Sequence, residues 1–194
     1  MRFDTIVRNA LLTTALALAG PTLLIGQKKP ESTEPPEMVV TEQGFLAISI
    51  PKGWIRSEGP GLAFFTRKRD KIENAPVWIY ISSAPIGPDQ EAKDASTYIQ
   101  SDIADFNQRF RSATVKEEEP LTLPKINGRA AVYTFRSGGK HNTVEQVVYI
   151  GEASRVLTLV LSAKETAAFE QSLPVFRDFV RSYGGSIVPG PNSQ

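Results

Sequence analysis

Residues 155–185 read RVLTLVLSAKETAAFEQSLPVFRDFVRSYGG, and two hydrophobic periods meet inside this stretch. From Val156 to Ser162 aliphatic side chains fall on both faces of a strand, Val156 and Val160 on one and Leu157, Leu159 and Leu161 on the other. A strand apolar on both faces has to be covered on both. Ser162-Ala163-Lys164-Glu165 then fits a capping box, and Phe169, Leu173, Phe176, Val180 and Tyr183 recur at helical spacing until Gly184-Gly185 ends the run. Pro174 within it predicts a kink or restart, with the regular part of the helix from Leu173 to Tyr183.

Upstream, Glu118–Leu123, Arg129–Arg136 and Val144–Gly151 read as strands separated by turn signals. Asn127-Gly128 is a tight-hairpin dipeptide, and Ser137-Gly138-Gly139 and Gly151-Glu152 mark the later turns. Before them, Ala95, Tyr98, Ile99, Asp102, Ile103, Phe106 and Phe110 form a helical stripe starting at Pro88-Asp89 or Asp94. Earlier still, Phe45–Ile50, Leu62–Thr66 and Val77–Ser83 read as a meander, with the turn Pro51-Lys52-Gly53 returning Trp54 towards the sheet. Val77, Ile79 and Ile81 alternate with Trp78 and Tyr80, so this strand too is apolar on both faces. The predicted class is α+β: an α/β/α sandwich in the order βββαββββα, with a mainly antiparallel central sheet of about seven strands and one of two main helices on each side.

That order carries two further words, GFLAISIPKGW at Gly44–Trp54 and EQSLPVFRDFVRSYG at Glu170–Gly184. Together they resemble the PsbP-like superfamily over about Gly44 to Gly184. The resemblance implies the same sandwich and a style of function. Members include the extrinsic PsbP subunit of photosystem II, an import factor that binds the GTPase Ran, and envelope proteins of the DcrB and LpqN types, which are mostly accessory or binding proteins. No shared catalytic motif defines them, so the resemblance assigns no catalytic residues.

The amino-terminal end reads differently. Arg2 and Arg8 precede the uncharged run ALLTTALALAGPTLLI at 10–25, a signal-peptide pattern with Ala17-Leu18-Ala19 or Leu24-Ile25-Gly26 as cleavage sites. The run is shorter than the roughly 20 residues of a spanning helix, and Gly20-Pro21 interrupts it; an uncleaved anchor is the alternative. Residues 1–26 are thus expected as a signal peptide, 27–40 as a disordered Pro- and Glu-containing tether, 41–187 as the single folded domain and 188–194 as a disordered tail. The expected location is exported, periplasmic or secreted, with membrane contact only if the signal is retained. No cysteine is present, which excludes a lipoprotein anchor, disulfides and thiolate chemistry.

The chain holds 22 Lys and Arg against 21 Asp and Glu, and without residues 1–26 the two signs balance. No long-range field favours nucleic acid. The single histidine, His141, sits in the turn SGGKHNT without a second imidazole or a thiol, and no G-x-S-x-G elbow accompanies it. Glu117-Glu118-Glu119 alternate between strand faces, and Ser137-Gly138-Gly139-Lys140 lacks the spacing of a phosphate loop. No catalytic set, cofactor or metal site is predicted. Two features remain as candidate binding elements: the basic cluster Arg67, Lys68, Arg69 and Lys71, as a protein docking spot, and Trp78 with Tyr80, as the wall of an apolar groove between sheet and helix. The sequence therefore predicts an exported, non-enzymatic accessory protein that docks on an envelope or secreted protein, the alternative being a carrier of a small ligand or lipid.

Overall fold

The computed structural model describes residues 38–41, 44–139 and 142–187. The chain divides into two compact units, 1–33 and 34–194, and every described residue belongs to the second. The expected signal peptide, the tether up to residue 37, the tail, Lys140 and His141 lie outside the described residues.

Seven strands form the main sheet: β3 (Trp54–Ser57), β4 (Ala63–Arg67), β5 (Val77–Pro85), β6 (Thr114–Leu123), β7 (Gly128–Arg136), β8 (Val144–Gly151) and β9 (Arg155–Ala163). Their spatial order is β3-β4-β5-β9-β8-β7-β6, antiparallel throughout. Helices α1 (Ala95–Arg109) and α2 (Thr166–Arg181) cover opposite faces. Val77, Ile79, Ile81, Leu157, Leu159 and Leu161 pack with Phe169, Phe176, Phe179 and Val180 of α2. Val147, Tyr149, Val156 and Val160 pack instead with Phe106 of α1 and its half-buried neighbours Tyr98, Ile99 and Ile103. The apolar character of both faces of β5 and β9 is what requires both helices.

A second sheet of three strands, β1 (Met38–Thr41), β2 (Gly44–Ala47) and β10 (Ser186–Ile187), was not legible in advance. The strand expected at Phe45–Ile50 belongs here, and its place as the first strand of the main sheet is taken by Trp54–Ser57. Residues after α2 hold β2 in position, Gly184 donating to the Ala47 carbonyl at 2.7 Å and Ala47 to the Gly185 carbonyl at 3.0 Å. Strand β1 also occupies residues 38–40, which the sequence reading gives to the tether.

Other local expectations change. Asp94 is the N-cap of α1 and accepts from Thr97 N at 2.8 Å, but Ser162 caps nothing, because its pairing with Trp78 and Glu145 keeps it in β9. Helix α2 starts at Thr166 behind Glu165, whose side chain makes no capping bond. It then runs through Pro174 as one helix with no restart. Asn127 and Gly128 do not form a two-residue hairpin: a 3₁₀ turn at Pro124–Ile126 precedes Asn127, which takes the left-handed conformation at φ 50°. Strand β6 begins four residues earlier than expected and carries a bulge between Glu118 and Leu121, at Pro120, where the sheet edge tolerates a missing N–H.

Candidate functional site

At one end of the sheet the turn Pro51-Lys52-Gly53 reverses the chain into β3. Gly53 has φ +83°, a conformation that favours glycine, and its carbonyl accepts from Lys68 N at 2.8 Å. This closes the open end of the β3–β4 hairpin and sets Lys52 beside the residues that follow β4. Trp54, 8% exposed, packs into the core cluster that α2 covers and pairs with Arg67 across the two strands.

From the other side α2 offers Gln171, Ser172 and Val175, the last 37% exposed. Arg67 Nη2 donates to Ser172 Oγ at 2.6 Å, and Ser172 Oγ in turn donates to the Ala168 carbonyl at 2.7 Å. Hairpin and helix thereby enclose a cleft of about 480 Å³, lined along one side by Lys52, Arg67, Lys68 and Arg69. Among the described residues Lys52, Arg67 and Lys68 have no ion-pair partner, and Arg69 meets only Asp70, at 3.9 Å. Asp70 is turned inward with its Oδ2 buried and unpartnered, so the acid that dilutes the cluster in sequence does little to cover it in space.

The structure thus brings Arg67, Lys68 and Arg69 together at the cleft and leaves Lys71 outside it, exposed before the short 3₁₀ turn Ile72–Asn74. Lys52 and the three α2 residues are the part that sequence reading missed. The turn Pro51-Lys52-Gly53 was the available sign for Lys52; nothing in the helix pattern marked Ser172 or Val175.

A second cleft, of about 580 Å³, lies between α2 and strands β6 to β8. Its charges are mixed: Lys116 pairs with Glu118 at 3.1 Å, and Thr134 donates to the same carboxylate. The first cleft is the one whose lining holds cations and no carboxylate.

Trp78 and Tyr80 do not share one groove. Lys164 Nζ lies 5.7 Å from the centre of the Trp78 ring, a cation–π arrangement on the surface of the sheet. Tyr80 lines a separate space of about 100 Å³ beneath α1. Among the described residues, no three His, Cys, Asp or Glu side chains group as metal ligands, and no helix is long and apolar enough to cross a membrane.

No protein-family model matches the chain, and none of the curated proteins matches its sequence. Among solved structures, the chain is similar to the solution structure of cyanobacterial PsbP (CyanoP) from Synechocystis sp. PCC 6803, with 12% sequence identity and a TM-score of 0.46 over 85% of this chain and 99% of that one.

Proposed function

We propose that this protein is a non-enzymatic accessory factor that docks, through the cleft between the β3–β4 hairpin and α2, onto an acidic segment of an exported or envelope protein. The observation that carries this reading is the cleft itself. Four cations line a concave surface floored by apolar groups, and three of them lack a carboxylate partner among the described residues. Such a surface favours a partner bearing several carboxylates next to an apolar anchor, and it steers the encounter at low salt. Export is the part of the proposal that rests on residues 1–26.

The reading is tested by titrating the labelled protein with a peptide of alternating glutamate and leucine and mapping amide shifts by NMR. Shifts should centre on residues 52–54, 67–69 and 171–175 and weaken with salt. The double variant Lys52→Glu, Lys68→Glu, whose native side chains make no hydrogen bond among the described residues, should lower affinity by about tenfold or more. Shifts centred elsewhere, or affinity unchanged in the double variant, would remove the proposal. The alternative reading, a small-ligand or lipid carrier, would use the space beneath α1 that Tyr80 lines, whose volume of about 100 Å³ suits a few heavy atoms and no acyl chain.

A further inference from the structure

Strand β1 and the docking cleft are linked by register. Met38 pairs with Ala47 and Thr41 with Gly44, so β1 runs against β2 and its first residue lies beside the last residue of β2. From Ala47 the chain continues through Ile48–Ile50 to the turn Pro51-Lys52-Gly53, whose Lys52 lines the cleft. The residues immediately before Met38 therefore join β1 on the side from which the chain travels to Lys52. Carried backwards in the same register, Glu37 falls opposite Ile48 and Glu34 opposite Pro51. Four extended residues span at most about 13 Å, and the five steps from Ala47 to Lys52 at most about 17 Å, so the reach of residues 34–37 is comparable to the path to the cleft.

Those four residues read Glu-Pro-Pro-Glu. Their two carboxylates complement a lining that holds Lys52, Arg67, Lys68 and Arg69 and no acid. Among the described residues Lys52 and Lys68 have no ion-pair partner. The proline rings between the two acids suit the apolar part of the same lining, Trp54 and the exposed Val175. Two consecutive prolines also disfavour helix for the residues before them and bias the chain towards an extended course. A segment joined to its site by so few residues is held there at an effective concentration on the order of millimolar, so even a weak contact is occupied.

We propose that Glu34-Pro35-Pro36-Glu37 occupies the cleft of its own chain as an acidic plug that a partner must displace, an inference that rests on reading the cleft as the site for an acidic segment. Pro35 and Pro36 donate no amide hydrogen bonds, so the hold is mainly electrostatic and weakens with salt. A partner then binds only the fraction of molecules whose cleft is open, and its apparent affinity falls by that fraction.

The chain has no cysteine, so Gln171→Cys, an exposed position of α2 that lines the cleft, accepts a single nitroxide label. In NMR spectra of the full chain the label should broaden the amides of Glu34 and Glu37, and either high salt or the added changes Lys52→Glu, Lys68→Glu should relieve the broadening. Without the label, Glu34→Gln, Glu37→Gln should raise the affinity of the glutamate–leucine peptide about twofold or more. Three label results would each overturn the plug: no broadening at Glu34 and Glu37, broadening that the charge changes leave intact, or broadening that grows with protein concentration, which puts the segment in the cleft of a second copy. The two readings of the cleft fail separately. If the peptide binds wild type and the glutamine variant equally well, the plug is wrong and the docking reading stands. If it binds neither while the salt-sensitive broadening persists, the docking reading is wrong and the plug stands.

Discussion

The Tyr183 hydroxyl, just beyond the end of α2, donates a hydrogen bond to Glu152 Oε1 in the turn between β8 and β9. Ser186 Oγ of β10 donates to the same oxygen at 2.6 Å, and Arg155 Nε to Oε2 at 2.6 Å. One carboxylate therefore ties the main sheet, the helix end and the small sheet together. Burial alone would raise its pKa, but the bonds from Ser186, Tyr183 and Arg155 outweigh burial and hold the group below the usual glutamate range.

Loss of that carboxylate leaves the buried Tyr183 hydroxyl without its acceptor. Glu152→Ala is expected to lower unfolding free energy by about 1–3 kcal/mol at neutral pH, measured by urea denaturation. The sign of the pH effect follows from the depressed folded-state pKa: the contribution is complete above the unfolded-state value and is lost as pH falls through the folded-state value. The difference between wild type and Glu152→Gln should accordingly shrink on acidification. A gap that stays constant down to pH 2 would mean that the charge plays no part.

Glu145 titrates in the opposite sense. Burial pushes its carboxyl up and Asp102 adds to the push, while the hydrogen bond from Ser162 and the charge of Arg109 offset it only in part; Tyr80 on the same sheet face stays neutral. Between the ordinary glutamate value and the raised folded-state value the native state binds more protons, so stability falls as pH rises through that window. Glu145→Gln should raise the urea midpoint at neutral pH and leave it unchanged well below the glutamate range. A midpoint lowered at both pH values would show the carboxylate to be stabilising.

These two acids also mark the limit of what the chain discloses by itself. The aliphatic sides of β5 and β9 and the aromatic stripe of α2 are periodic, so their burial is legible from spacing alone. Trp54–Ser57 is not, because only Trp54 is buried and Ile55, 41% exposed, breaks the alternation on an edge strand. The partners of β2 are equally hidden: β10 follows α2, far along the chain, and no local pattern encodes that pairing. At the docking cleft Arg67, Lys68 and Arg69 stand out as consecutive cations, whereas Ser172 becomes relevant only once α2 brings it to 2.6 Å from Arg67. Local periodicity is written in neighbouring residues; the meeting of distant segments is not.

The turn glycines at the two ends of the β3–β4 hairpin separate conformational strain from collision. Gly53 and Gly61 both have φ +83°, but a Cβ on Gly53 meets nothing within 4 Å, while one on Gly61 would lie 2.3 Å from the Ile81 carbonyl oxygen. That oxygen accepts from Leu62 N at 2.7 Å, so the backbone has little room to give. Gly53→Ala should cost about 1 kcal/mol from backbone strain, and Gly61→Ala about 2–3 kcal/mol because it also displaces this hydrogen bond. Equal losses in thermal or urea unfolding would count against the packing of Gly61 on β5.

Pro174 offers a gain of stability in place of a loss. It lies nine positions into α2, removes the amide that would bond to the Glu170 carbonyl, and is exposed, so its ring supplies no core contact. Proline inside a helix is disfavoured against alanine by about 3 kcal/mol, and Pro174→Ala should recover part of this, about 1–2 kcal/mol by urea denaturation. The gain depends on the helix geometry. Phe169 and Phe176, on either side of the proline, are both buried against the same sheet face. If the regular helix of the alanine variant seats both rings equally well, stability rises. If stability falls instead, the helix geometry that the proline sets is what lets both rings reach the sheet, and Leu173 and Val175 beside it should shift in an NMR spectrum of the variant.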